Sequence, residues 1–325
     1  SSPDYLAEFG TNGGFILKHS VGNLNKNSDF ILNAFESEFH IENKVNETGN
    51  VGSKESSRGW DELIDRDIDH WMPLTFGLCI SVAGAISDWL QEECIKIHLA
   101  ERGDGDIWEV GRLCVACGSN PYKDDMVFTD LKRFEAFEET IADGYPCLVS
   151  GIPAIKEYLT EKGCQKHHKT IIAVTTGRNE TVKNEGIPTA WLEVSPDVQW
   201  FKSTNHMIRV SMECLEVYGH LIPSVDKTLR RWGKEVTRNY LASEIAEIKK
   251  LAKERGIFQH VPKAFFKQIG MILVAEKAIN ERYGLHTRRE DLIEFIFENV
   301  TLAWHGKIIE SCHRNRKGET TWNMK

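Results

Sequence analysis

No charged side chain interrupts the stretch from Trp71 to Ser87, and a chain carrying such a segment must hide it from water. The stretch falls short of the ~20 apolar residues that a membrane helix needs, and Pro73, Gly77, Ser81 and Gly84 lie within it. Its pattern reads as helical and runs on into the charged residues Asp88 to His98. The expectation is a buried core helix from about Pro73 to Ala100, closed by the turn Gly103-Asp104-Gly105-Asp106, with no membrane role. Proline near a helix start is well tolerated, because its missing N–H would be unpaired there anyway.

What packs on that helix follows from the pattern downstream. An apolar run Leu113–Cys117 precedes a helical pattern Thr129–Ala142, then Cys147–Val149, a helical pattern Pro153–Glu161, the β-branched run Thr170–Thr176, and Trp191–Val194. Strands alternating with helices are the signature of a parallel α/β layer. The last third is helical over Ser224–Tyr240 and Pro262–Asn280, the latter followed by Gly284. Thr287-Arg288-Arg289-Glu290 has the form of a capping box ahead of the apolar run Leu292–Trp304. The fold class expected is mixed α/β and predominantly helical: a central short parallel α/β layer followed by a helical C-terminal domain, with an all-α chain as the alternative. The organisation expected is an N-terminal arm with a polar linker over 1–59, an acidic helical and α/β body over 60–200, a basic helical domain over 201–310 and a basic tail over 311–325. Within the arm, Phe15–Val21 and Phe30–Ile41 read as extended pieces.

The charge is divided unevenly. Residues 1–200 hold 18 Lys/Arg against 33 Asp/Glu, and residues 201–325 hold 22 against 15, so an acidic part is followed by a basic one. This points to an anionic partner for the last third, or to pairing between regions or subunits. The eight cysteines lack the density of a disulfide-stapled scaffold, which favours a reducing compartment, cytoplasmic or nuclear.

The most specific chemical pattern lies between Ser224 and Tyr240. At ~100° per residue, Lys227, Arg231, Lys234 and Arg238 fall in one arc, opposite Leu229, Trp232, Val236 and Tyr240. Arg230, Lys249, Lys250, Lys253 and Arg255 extend the positive density, and Phe258, His260 and Phe265 supply rings. Cations that track a backbone, interleaved with rings that meet unstacked bases, are what single-stranded nucleic acid requires. The bland alternative is a solvated helix face whose charges pair with nearby glutamates.

Two further constellations compete. Cys114 and Cys117, with Cys164 and His167 or His168 about fifty residues on, have the two-residue spacers that turn paired ligands toward one zinc ion; buried inert thiols are the competing explanation. Gly118-Ser119-Asn120, Gly151-Ile152-Pro153 and Thr175–Glu180 each follow an expected strand, where α/β folds bind ligands, although no Gly-Lys-Ser/Thr loop is present. No catalytic residue is assigned. The leading expectation is a non-enzymatic nucleic-acid-binding protein that prefers RNA or single-stranded DNA. It would assemble as a coat-like or nucleocapsid-like homo-oligomer through residues 1–59. The alternatives are an α/β enzyme acting on a nucleotide or nucleic acid, and a protein-interaction module using the basic helix.

Overall fold

The computed structural model of the chain describes residues 57–93, 95–101, 106–121, 127–128, 132, 134, 143–149, 170–176, 191–258, 261, 263–304 and 307–309, and the backbone of four short strands near the two ends. Two of those strands, β1 (Tyr5–Phe9) and β2 (Phe15–His19), pair antiparallel. The expected extended piece Phe30–Ile41 and the linker up to residue 56 lie outside the described residues.

Helix α1 (Ser57–Leu63) continues into a π-helical turn, Ile64–Ile68, and leads to α2 (Met72–Leu90), the helix demanded by the uncharged stretch. Every residue from Leu74 to Ser87 is buried. By length and composition α2 would pass as a membrane span, yet 89% of its apolar window is enclosed by the rest of the protein. It ends ten residues before the sequence pattern does. Gln91 turns left-handed, and its N–H returns to the carbonyl of Asp88.

The residues beyond form β3 (Lys96–Glu101), not helix. An isolated Lys-Ile-His-Leu-Ala segment has no strong preference, and here it gains two neighbours. β3 lies in the middle of a sheet, and even Lys96 and His98 are buried there. His98 meets Glu193 on the adjacent strand.

Helix α3 (Asp106–Ala116) follows, and it absorbs the run Leu113–Cys117 that reads as a strand in the sequence. Ile107, Val110, Leu113 and Cys114 recur at helical spacing and are buried, so the apolar run is the last third of an inward-facing helix. Gly111 lets α3 sit directly on the sheet: a Cβ there would meet the Leu148 side chain at 2.4 Å.

The remaining strands of the layer are β4 (Val127–Phe128), β5 (Pro146–Val149), β6 (Thr170–Thr176) and β7 (Trp191–Val194). The last three coincide with the runs read from the sequence. Strand β4, only two residues long, has no counterpart among those runs. The five strands β4-β5-β6-β3-β7 are parallel, and the chain is mixed α/β and predominantly helical, as expected.

The last third contributes α4 (Thr204–Val217), α5 (Leu221–Glu254), α6 (Lys263–Tyr283) and α7 (Arg289–Asn299). It then returns to the sheet. Strand β8 (Val300–Trp304) pairs antiparallel with β7, and β9 (Lys307–Ile309) pairs with β8, so the helix expected through Trp304 stops at Asn299. β-Branched Val300 and Thr301 are better suited to the open edge of β7 than to another helical turn. Near the C-terminus β10 (His313–Arg314) pairs with β11 (Thr320–Thr321).

One apolar core runs from Trp60 to Val300 and draws on both sides of residue 200. Buried carboxylates tie its edges. Asp69 accepts the backbone N–H groups of His286 and Thr287, and its carbonyl accepts the Thr287 hydroxyl. Thr287 is therefore spent on Asp69, and Arg288 takes the N-cap position of α7 with no side-chain cap bond, so the capping box does not form. Asp67 accepts Arg66 at 2.6 Å and Arg209 at 2.8 Å. Burial works to raise its carboxyl, but the guanidinium groups of Arg209 and Arg66 hold it below the usual carboxylate value.

Candidate nucleic-acid interface

Helix α5 carries the basic face, but it is not one straight rod. Gly233 interrupts it at φ 78°, ψ 162°, a conformation reserved for glycine. Before the break the buried positions are Leu221, Ile222, Ser224, Val225, Thr228 and Leu229; after it they are Thr237, Leu241, Glu244, Ile248 and Ala252. At ~100° per residue the second series points ~150° away from the continuation of the first. Val236, on the apolar side by sequence periodicity, is consequently 39% exposed while Thr237 is fully buried. The Thr237 hydroxyl donates to the Gly233 carbonyl at 2.9 Å.

The break also corrects the row of cations. Lys227 and Arg231 belong to the first arm of α5, Lys234 and Arg238 to the second, so the four do not share one arc. All four are exposed. Arg231 pairs with Glu281, Arg230 with Asp226, Lys250 with Glu254 and Arg255 with Glu294. Glu294 and burial act in opposite directions on Arg255, and the carboxylate prevails, so its pKa lies above the ordinary value. Among the described residues Lys227, Lys234, Arg238, Lys249 and Lys253 have no ion-pair partner. Thus part of the face is the solvated, internally paired surface of the bland alternative, and part is uncompensated charge. Of the expected stacking rings, Phe258 and Phe265 are buried in the core and unavailable to a base, and His260 lies outside the described residues.

A different ring organises the cations. Trp89, near the end of α2, is half-buried against the core. The guanidinium of Arg230 lies 5.8 Å and the ammonium of Lys234 5.4 Å from its ring centroid, within the range of a cation–π attraction. These two cations come from opposite sides of Gly233, and the indole gathers them. Its Nε1 has no hydrogen-bond partner among the described residues. By sequence pattern Trp89 falls in the middle of a long core helix, and no local signal marks it as the meeting point of α2 and α5. Two surface hollows, one of about 350 Å³ beside Asn205, Arg209 and Met212 and one of about 320 Å³ between Asp69, His70, His286 and Asp291, do not involve this face.

Two of the metal candidates are separated from solvent. Cys114 and Cys117 are fully buried, and their thiols donate to the carbonyls of Gly77 and Leu113, each at 3.4 Å. Burial pushes the Cys114 thiol up to about 12 and the Cys117 thiol well above its ordinary value. Cys164 and His167 lie outside the described residues, and among the described residues no three His, Cys, Asp or Glu side chains are grouped to hold a metal.

Of the three loops considered for a nucleotide, Gly118-Ser119-Asn120 follows a helix instead of a strand. A helix leaving a parallel strand runs back along the sheet, so α3 ends at the amino edge. Accordingly a Cβ on Gly118 would meet Tyr145, the residue just before β5. Residues 151–153 and 177–180 lie outside the described residues.

The strand order, with connections that leave in both directions, is that of an open, doubly wound α/β sheet with an antiparallel extension. A solved structure described as the active helicase SCCmec type IV Cch shares this fold, with a TM-score of 0.63 and 13% sequence identity. The similarity covers 75% of this chain and 50% of that one, so this chain matches about half the length of the helicase. No protein-family model and no curated protein matches the sequence.

Proposed function

We propose that this chain binds nucleic acid, with single-stranded RNA or DNA preferred, through the cations of α5 that gather on Trp89. The observation that carries the reading is the placement of Arg230 and Lys234 over one indole. A pair of cations held in place by a ring loses less conformational freedom on meeting phosphates than two solvated side chains do. Lys227, Arg238, Lys249 and Lys253 add uncompensated charge along the same helix. A fold shared with a helicase supports the same direction.

The test is fluorescence anisotropy with a labelled single-stranded oligonucleotide over a range of salt. Arg230→Ala and Lys234→Ala should each reduce the slope of log K against log salt by about 0.7, the single-strand value per phosphate contact. Trp89→Ala should weaken binding through loss of the platform without altering net charge. Unchanged affinity and slope in all three variants would exclude this face.

A coat-like assembly is the finer version of this reading. It depends on residues 1–59, most of which lie outside the described residues, and the helicase likeness lends it no support. The second reading, an α/β enzyme acting on a nucleotide, is favoured by the doubly wound sheet and depends on the chemistry at its crevice.

A further inference from the structure

The connections of the parallel layer locate that crevice. From β3 the chain crosses to the β4 edge, whereas the connections after β4, β5 and β6 all run the other way, the last passing β3 to reach β7. In a doubly wound sheet the ligand crevice opens where connections depart in opposite directions, at the carboxyl ends of the strands involved. Here those strands are β3 and β6, which are neighbours with Glu101 opposite Thr176. Strand β3 and helix α3 therefore stand where the strand and the helix that flank a phosphate-binding loop stand.

The chemistry at that place is the reverse of what a phosphate needs. A phosphate loop has the form Gly-x-x-x-x-Gly-Lys-Ser/Thr: the ammonium meets the β- and γ-phosphates and the hydroxyl holds magnesium. Residues 100–107 read Ala-Glu-Arg-Gly-Asp-Gly-Asp-Ile. Aligned on Gly105, the lysine position is Asp106 and the hydroxyl position is Ile107. Asp106 is the first residue of α3, and Ile107 is fully buried in the core, where it presents no oxygen to a metal. Glu109 adds a second carboxylate to the first turn and accepts Ser211 at 2.7 Å. The positive end of the helix dipole is thus already met by the helix's own carboxylates. Val149 and Thr176, the last residues of β5 and β6, carry no carboxylate to hold magnesium.

We infer that this chain keeps the topology of a nucleoside-triphosphate site and has lost its chemistry, so that it does not bind ATP or GTP with magnesium. The inference stands beside the nucleic-acid reading, not on it. It distinguishes this chain from an enzyme driven by nucleotide hydrolysis.

The experiment titrates the 325-residue chain into fluorescent ATP with magnesium, alongside a phosphate-release assay and a melting curve. The parent should show no saturable binding up to about 1 mM protein or nucleotide and no phosphate release. Saturable binding that unlabelled ATP competes away would overturn the inference. The variant Asp106→Lys with Ile107→Thr restores the ammonium and hydroxyl and should bind at least about ten-fold more tightly than the parent. A folded variant that binds no better would overturn the placement of the site. Should the pair not fold, Asp106→Lys alone carries the same comparison. Oligonucleotide binding by the same parent sample, without nucleotide, tests the nucleic-acid reading separately.

Discussion

Replacing Gly233 with alanine separates a broken helix from a straight one, because the two predict opposite signs. At φ 78°, ψ 162° an L-residue carries about 1–3 kcal/mol of backbone strain. Nothing lies within 4 Å of the added Cβ, so steric overlap adds no further penalty. The strain is relieved only if the two arms of α5 straighten. That would gain ~1 kcal/mol of helix propensity but would rotate the second arm by ~150°. Leu241, Ile248 and Ala252 would leave the core, and removing one leucine from it forfeits about 1.5–3 kcal/mol by itself. The pairing of Arg289 with Glu244 and Glu247 would also be lost. Alanine therefore has to bear the strain. A net loss of about 2 kcal/mol should lower Tm by roughly 4–8 °C, at 2–4 °C per kcal/mol for a large domain. Differential scanning calorimetry of Gly233→Ala beside the parent measures it. A Tm equal to or above the parent's would mean that α5 runs straight and that Lys227, Arg231, Lys234 and Arg238 do share one arc.

Two further predictions concern buried titratable groups. Glu276 on α6 is 3% exposed, and burial raises its carboxyl to about 7 despite the opposing pull of Arg289. The folded state thus holds a proton that the unfolded state releases at the ordinary carboxyl value of 4.5, so this group's contribution is greatest below pH 4.5 and is lost as pH rises through 7. Relative to Glu276→Gln, the parent should lose on the order of 3 kcal/mol between pH 4.5 and 8; parallel melting curves for the two proteins across that range would refute it. The five buried thiols among the described residues, Cys79, Cys114, Cys117, Cys147 and Cys214, should react with a thiol reagent only after denaturation. Protein purified without a metal-affinity step should contain no stoichiometric zinc, and about one zinc per chain by elemental analysis would reinstate Cys114, Cys117, Cys164 and His167 as ligands.

The sequence alone determined the features that are encoded locally. The uncharged stretch from Trp71 required a buried helix, because nothing else hides so long an apolar segment. β-Branched Thr170–Thr176 and apolar Trp191–Val194 became the strands their composition favours. Gly284, left-handed at φ 71°, ends α6 as a glycine after a helix should. Tertiary structure decided whatever depended on a neighbour. Lys96–Glu101 is strand because β6 and β7 flank it, and Val300–Trp304 is strand because the edge of β7 was open. Thr287 is no cap because Asp69 claims its hydroxyl. The basic face was legible as a set of residues but not as a shape, since periodicity assumes an unbroken helix and the break at Gly233 is held by burial further along. Trp89 joined that face only when α2 and α5 packed together, a long-range contact that no local pattern of residues can encode.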